Sequence, residues 1–276
     1  MLKVEEVAEH EWEFIYPPKY RQLMDKFDGG VELWQTGHAR AAEKIYKEII
    51  AEFPGFIDVY HHLGLLYEES GRDKLAFENW LKGYQIGNAC FPHNFTPGKD
   101  LLPWAFLENR PFLRCTHAFG LCFFDGGNLA KAMELFEFII SANPNDNQGI
   151  RALLAEGYLK TGNYRAVLDL CGKYKGDPTV ELTYGKPYAL FKLGDKGKAS
   201  LLLREAIQFS PKVAKELLKK RHIPPKSLHP DRYTVGGDDE AFYYWERSGI
   251  LWEDPEIKPW LIQNADKGKR SKSNLQ

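Results

Sequence analysis

The chain has 276 residues, 43% of them apolar, enough to bury a sizeable core as one extended array or as two modest domains. With 37 basic against 38 acidic side chains the formal charge is −1, so the cationic excess used for non-specific phosphate binding is missing and no nucleic-acid partner is expected. The acidic start MLKVEEVAEHEWEF lacks the apolar core of a signal peptide, and no later stretch has the length of a membrane span, so a cytoplasmic protein without a membrane partner is expected.

Residues 1–20 form an N-terminal segment, and from 21 onward the chain repeats itself. Gly30 is followed by Leu33, Gly37, Ala42, Tyr46 and Pro54; Gly64 is followed by Tyr67, Gly71, Ala76 and Trp80. The spacing of about 34 residues is that of a helix, turn, helix unit. Two helices approach closely where facing positions are small, which pairs Gly64 and Gly120 with Ala76 and Ala132. Gly37, Gly71, Gly127, Gly162 and Gly194 fall just past helical patterns, where a left-handed residue ends a helix. Repeats one and two fill 21–87.

Gly120 opens a third copy with Phe123, Gly127, Ala132, Phe136 and Pro144, but it stands 56 residues after Gly64, 22 more than the period. The excess lies in 88–112, whose four prolines forbid one continuous helix. Its Phe91, Phe95, Trp104, Phe106 and Phe112 suit a plug packed on the array better than a partner-binding loop. Repeats three to five occupy 113–220, with Gly162 marking the fourth and Gly194, Ala199, Leu203, Ala206 and Pro211 the fifth. Pro187 falls inside the expected first helix of copy five, so its second helix is the firmer of the two.

After Pro224 the pattern turns extended, and DDEAFYYWERSGILW then reads as a capping helix with Asp238 at its N-cap. The aromatic residues Phe242 to Trp245, with Trp252 and Trp260, are expected to cover the last repeat within a cap of 221–265. The basic tail 266–276 is expected to be disordered. The fold class is therefore all-α, a right-handed helical-hairpin solenoid of about five repeats with an irregular insertion and a helical C-terminal cap. Cys90, Cys115, Cys122 and Cys171 form no CxxC pair, and Cys115 and Cys122 would sit about 10.5 Å apart on one helix, too far to bridge.

The region 21–211 resembles tetratricopeptide repeat proteins. More narrowly, ENRPFLR (Glu108 to Arg114), NPNDNQG (Asn143 to Gly149) and YTVGGDDEAFYYW (Tyr233 to Trp245) resemble the helical-repeat family of the suppressor of tumorigenicity seven and its bacterial relatives. The first resemblance implies a groove lined by the first helix of each unit that holds a protein or peptide. Mapped by the repeat positions, it proposes Trp34, His61, Glu68, Arg114, His117, Phe124, Tyr184 and Tyr188 as the peptide-binding groove. Phe27 and Val31 stand where a clamp for acidic chaperone tails needs Lys and Asn, so that subtype is disfavoured.

The competing reading is a metal-dependent or hydrolytic enzyme using the groove's histidines and acids. It has little to stand on. His61 and Glu68 lie seven residues apart, about 10.5 Å along a helix, whereas zinc ligands stand about 2 Å from one ion. No GxSxG, HExxH, Walker A or GxGxxG occurs. No catalytic residue, metal or cofactor is expected.

Overall fold

In the computed structural model, residues 1–229 and 232–273 are described, with side chains through 266. The chain divides into two compact units, Met1–Ile150 and Arg151–Gln276.

The first unit opens on an antiparallel hairpin, β1 (Lys3–Ala8) and β2 (Glu11–Ile15), turned at His10 with φ 59°. Alternating Trp12 and Phe14 point inward and are buried, while Glu11 and Glu13 between them keep partial exposure. Three helical hairpins follow: α1 (Pro18–Gln35) with α2 (Ala39–Glu52), α3 (Ile57–Glu69) with α4 (Asp73–Asn88), and α5 (Arg110–Asp125) with α6 (Leu129–Ala142). The second unit repeats the theme with α7 (Ile150–Lys160), α8 (Tyr164–Lys173), α9 (Val180–Lys192) and α10 (Lys196–Phe209). It then adds α11 (Pro211–Leu217), α12 (Asp238–Trp252) and α13 (Ile257–Ser273).

All five hairpin turns close in the same way. The amide three residues past each first helix reaches back five residues: His38 to Leu33 at 2.7 Å, Arg72 to Tyr67, Asn128 to Phe123 and Asn163 to Tyr158 at 2.8 Å, and Asp195 to Leu190 at 3.0 Å. The residue between is a glycine with φ from 67° to 93° in each case, a backbone region that a side chain disfavours. In the last three hairpins Asn128, Asn163 and Asp195 also cap the second helix by accepting from a backbone amide three residues on.

The close approach within a hairpin differs from the expected pairing of small residues. A Cβ on Gly64 would lie 2.1 Å from Trp80 Nε1, and one on Gly120 would lie 2.5 Å from Phe136 Cε1. Each glycine thus makes room for a ring one turn beyond the alanine, and Trp80 Nε1 uses the proximity to donate to the His61 carbonyl at 3.2 Å. Pro187 lies inside α9 rather than disrupting it. Its neighbours Tyr184, Gly185, Tyr188 and Ala189 are all buried, so packing on nearly every side outweighs the one backbone donor lost.

The insertion is built in with the N-terminal hairpin. Leu101 exchanges backbone bonds with β2, accepting from Trp12 at 2.9 Å and donating to His10 at 2.8 Å. Phe91 and Phe95 pack at 4.5 Å, and Phe14, Phe91, Phe112 and Phe138 form one ring cluster around them. Asn109, fully buried, donates to the Trp12 carbonyl at 2.9 Å and accepts from the Phe14 amide at 3.0 Å. The aromatic segment is therefore a packed plug, and Asn109 of ENRPFLR is the joint that fixes β2 to it.

The capping helix starts one residue away from the expected arrangement. Gly237 occupies the N-cap, Asp239 accepts from the Thr234 amide at 2.9 Å, and Glu240 accepts from the Gly236 amide at 2.7 Å. Asp238 instead pairs with Lys212 at 3.3 Å. The segment expected as a disordered tail is helical as far as Ser273, and 274–276 lie outside the described residues. No described helix is long and apolar enough to cross a membrane.

Candidate functional site

The first helices of the hairpins carry the residues proposed for the groove, and the two units treat them differently. In the first unit α1, α3 and α5 contribute Trp34, His61, Glu68, Arg114, His117 and Phe124. Trp34 keeps partial exposure and donates through Nε1 to Glu69 at 2.8 Å, tying the first hairpin to the second. Arg114 donates from Nη2 to both oxygens of Asp58 at 2.8 and 2.7 Å, and its side chain is 37% exposed. Asp58 stands in the first turn of α3, so one buried carboxylate both suits that helix's dipole and aims the guanidinium of α5. His62 donates from Nδ1 to the Asp58 carbonyl at 2.9 Å and sits edge-on to Phe27 and Trp34.

His61 turns inward instead. Burial, with His62, Arg114 and His117 nearby, holds its imidazole well below the ordinary range. Burial likewise pushes His117 down to about 4, and Gln148 Nε2 donates to its Nδ1 at 3.4 Å. Both rings are neutral at pH 7. Gln148 also donates to the Leu113 carbonyl at 3.2 Å, which makes NPNDNQG a brace for α5. At the other end of the face Glu68 is exposed, and its carboxyl is raised by partial burial and by Asp125, Asp73 and Glu69. Phe124 is buried, 5.9 Å from Phe136, and belongs to the hairpin core rather than to a groove.

In the second unit the equivalent positions are closed. Tyr184 is fully buried and donates to the Ser210 carbonyl at 2.8 Å; Tyr188 is buried and donates to the Leu251 carbonyl at 3.2 Å. Tyr244 and Trp252 of α12 pack on these rings at 5.4 to 5.8 Å. Lys192 pairs with Asp254 at 2.5 Å, and Glu156, almost fully buried, accepts from Lys160 and Arg247 at 2.7 Å each. Tyr184 and Tyr188 therefore cannot meet a partner, because α12 lies along the face they were expected to line. Trp260 on α13 continues the cover, 4.5 Å from Phe191 and donating to Ser200 Oγ at 2.9 Å.

Of the eight proposed residues, Trp34, Glu68, Arg114 and His117 keep access to solvent, and all four lie in the first unit. Asp58 and Gln148 were not among the residues the sequence singled out, while Glu69 and His62 were noted beside Glu68 and His61 without their partners. Each is a polar partner on a neighbouring turn or hairpin, and only the position of Asp58 at a helix start offered a signal. Among the described residues no group of three His, Cys, Asp or Glu side chains could hold a metal ion. All four cysteines are free thiols.

Paired helices, glycine turns of one geometry and first helices packed side by side define a tetratricopeptide-like repeat protein, a fold used by protein-interaction scaffolds. The crystal structure of YrrB, described as a TPR protein with an unusual peptide-binding site, shares this fold. It matches with a TM-score of 0.50 and 11% identity over 71% of this chain and 93% of that one. The MamA protein matches at 0.48 and 16% identity, over 75% of this chain and 98% of that one. No curated protein matches the chain. The family of the transcriptional repressor TCF25 matches residues 76–275, and the chain belongs to that family. The matched span takes in Asn109, Gln148 and the Asp239 turn, the joints described above.

Proposed function

We propose that this protein is a non-catalytic scaffold that binds a protein or peptide on the first-helix face of its first unit. One observation carries the reading: that face leaves Trp34, Glu68 and Arg114 open to solvent, with an edge of the largely buried His117 beside them, while the same positions of the second unit are sealed by α12. Tryptophan and arginine are the side chains that most often dominate binding energy, at about 2 kcal/mol or more each. Arg114 arrives already oriented by Asp58, which lowers the ordering cost of a contact. The peptide-binding site named for YrrB supports the same use of the fold.

The family's description as a transcriptional repressor is compatible with such a scaffold serving in transcriptional repression. The resemblance to the suppressor of tumorigenicity seven family stays a likeness of the three joint segments and adds no chemistry. Four free thiols suit a reducing compartment, the cytoplasm of the sequence reading or the nucleus with its similar redox poise. The test is affinity capture on the immobilised full chain against the variants Trp34→Ala and Glu68→Lys, both at surface positions. Partners held by the parent are expected to fall away, and retention of every one of them would overturn the assignment.

A further inference from the structure

The first-helix face of the first unit is unevenly charged. Helix α3 carries three acids, Asp58, Glu68 and Glu69, and no lysine or arginine. Glu68 and Glu69 end α3, Asp125 ends α5 and Asp73 opens α4, all four exposed. Neither last turn holds a basic residue, so these carboxylates add to the partial negative charge of two helix C-termini instead of offsetting it. After partial burial, the groups that raise the Glu68 carboxyl are Asp125, Asp73 and Glu69, with no cation among them. Burial first, then Glu68, Asp125 and Asp73, push the Cys122 thiol up to about 11, which marks the same convergence from α5.

The cations of these helices are committed elsewhere. Arg114 is held by Asp58, and Arg110 donates to the Trp104 carbonyl and lies 5.2 Å over its ring. Lys19 and Lys26 of α1 pair with Glu52 across the first hairpin, and Arg21 stands thirteen residues before Trp34, about 20 Å along the helix. Past the helix ends, Arg72 pairs with Glu43, Lys74 with Glu78 and Lys131 with Glu134. About one turn back from the acids Leu65 and Leu121 are half-buried, and Trp34 holds its indole against Glu69. Further back His61 lies toward α5, where Arg114 and His117 act on it. It is 9% exposed, and its Nδ1 has no hydrogen-bond partner, nor have Arg114 Nε and Gln148 Oε1. Buried polar atoms are ordinarily paired, so this end of the face suits the amide and carbonyl groups of a guest backbone.

We infer that the partner on this face is an extended basic polypeptide segment, with a lysine or arginine among Glu68, Glu69 and Asp125 beside Trp34, an apolar side chain over Leu65 and Leu121, and its backbone running on toward Arg114 and His61. The inference rests on the scaffold reading and adds the charge of the partner. Glu68 and His61 are seven residues apart, about 10.5 Å along α3, which an extended chain spans in about three residues. A cation at the acidic end meets carboxylates and an aromatic ring together, and each favours it. An acidic segment would bring like charge to the same place.

The experiment measures fluorescence anisotropy of a labelled synthetic peptide of repeated Lys-Val-Ser, blocked at both ends, titrated with the full chain. Counterparts carry glutamine or glutamate in place of lysine. Saturable binding of the lysine peptide is expected, weakening as salt is raised. The glutamine peptide should bind at least about tenfold more weakly, and the glutamate peptide more weakly still. Glu68→Gln with Asp125→Asn should weaken the lysine peptide about tenfold, with a thermal melt no lower than the parent's, because the pair relieves like-charge repulsion. Glu246→Gln with Glu256→Gln removes two charges from exposed positions of the second unit and should leave binding unchanged, which separates a local site from net charge. The proposal is overturned if the lysine peptide fails to saturate, if either counterpart binds as tightly, or if the two double variants bind alike. Should the glutamine peptide bind as tightly and Trp34→Ala abolish its binding, the first-unit face stands and the basic preference alone falls.

Discussion

Replacing Gly64 by alanine asks whether the hairpins are held by ring-on-backbone packing. The added Cβ would lie 2.1, 2.4 and 2.6 Å from Nε1, Cε2 and Cδ1 of Trp80, and that ring is only 3% exposed, with nowhere to withdraw. Overpacking of this kind costs about 1–3 kcal/mol. Displacing the indole also breaks its bond to the His61 carbonyl, a buried interaction worth about 1 kcal/mol. Against this stands the better helix propensity of alanine, about 1 kcal/mol. The net expectation is a loss of about 1–3 kcal/mol, read as a lower urea midpoint by circular dichroism. Gly29→Ala is the internal control: it sits mid-helix in α1 with nothing within 4 Å of the new Cβ, so it should stabilise by up to about 1 kcal/mol. Trp80→Phe should rescue part of the Gly64→Ala loss by shortening the ring. If Gly64→Ala were neutral, or if Trp80→Phe simply added its own cost, the packing argument would fail.

Three further outcomes follow from the same geometry. Asn109→Ala strips β2 of a donor and an acceptor at a fully buried position, so it should cost about 2–4 kcal/mol and leave the N-terminal hairpin open to protease or to fast amide exchange. His117 has its folded-state pKa lowered to about 4 from the ordinary 6.5, so the unfolded chain takes up a proton first as the pH falls. Stability is thus fully present above pH 6.5 and is lost between 6.5 and 4, by up to about 3 kcal/mol, and His117→Gln should shrink the acid-induced drop in urea midpoint by more than about 1 kcal/mol. Trp252→Ala should destabilise by about 3–5 kcal/mol and make Tyr184 and Tyr188, both buried in the unaltered protein, accessible to iodination.

The repeat was legible because its causes are local. A glycine ending each first helix needs only its own φ to be recognised, and Gly37, Gly71, Gly127, Gly162 and Gly194 all take it. The pairing across a hairpin was legible only in outline. The small position was found, but Trp80 rather than Ala76 fills the gap, because a ring one turn away reaches where a methyl does not. The β-hairpin is written in the alternation of Trp12 and Phe14, a pattern that lies outside the helical repeat. Its partners Leu101 and Asn109 lie some ninety residues on, and no local pattern announces them. The burial of Tyr184 and Tyr188 was hidden for the same reason. The aromatic run of α12 advertises that it covers something, but only tertiary contacts show that it covers the face of α9.

The clasp between β2 and Asn109 spans 95 residues of chain, far beyond the neighbour-to-neighbour contacts of a hairpin array. During synthesis the two strands emerge well before the residues that complete them, so they have no finished surface to settle on until the third hairpin has begun to form. The portion of the first unit made earliest is thereby among the last to find its place. Its aromatic side chains, Trp12 and Phe14, stay in water for that interval, and this makes the opening strands the point at which a helper that shields apolar segments would matter most.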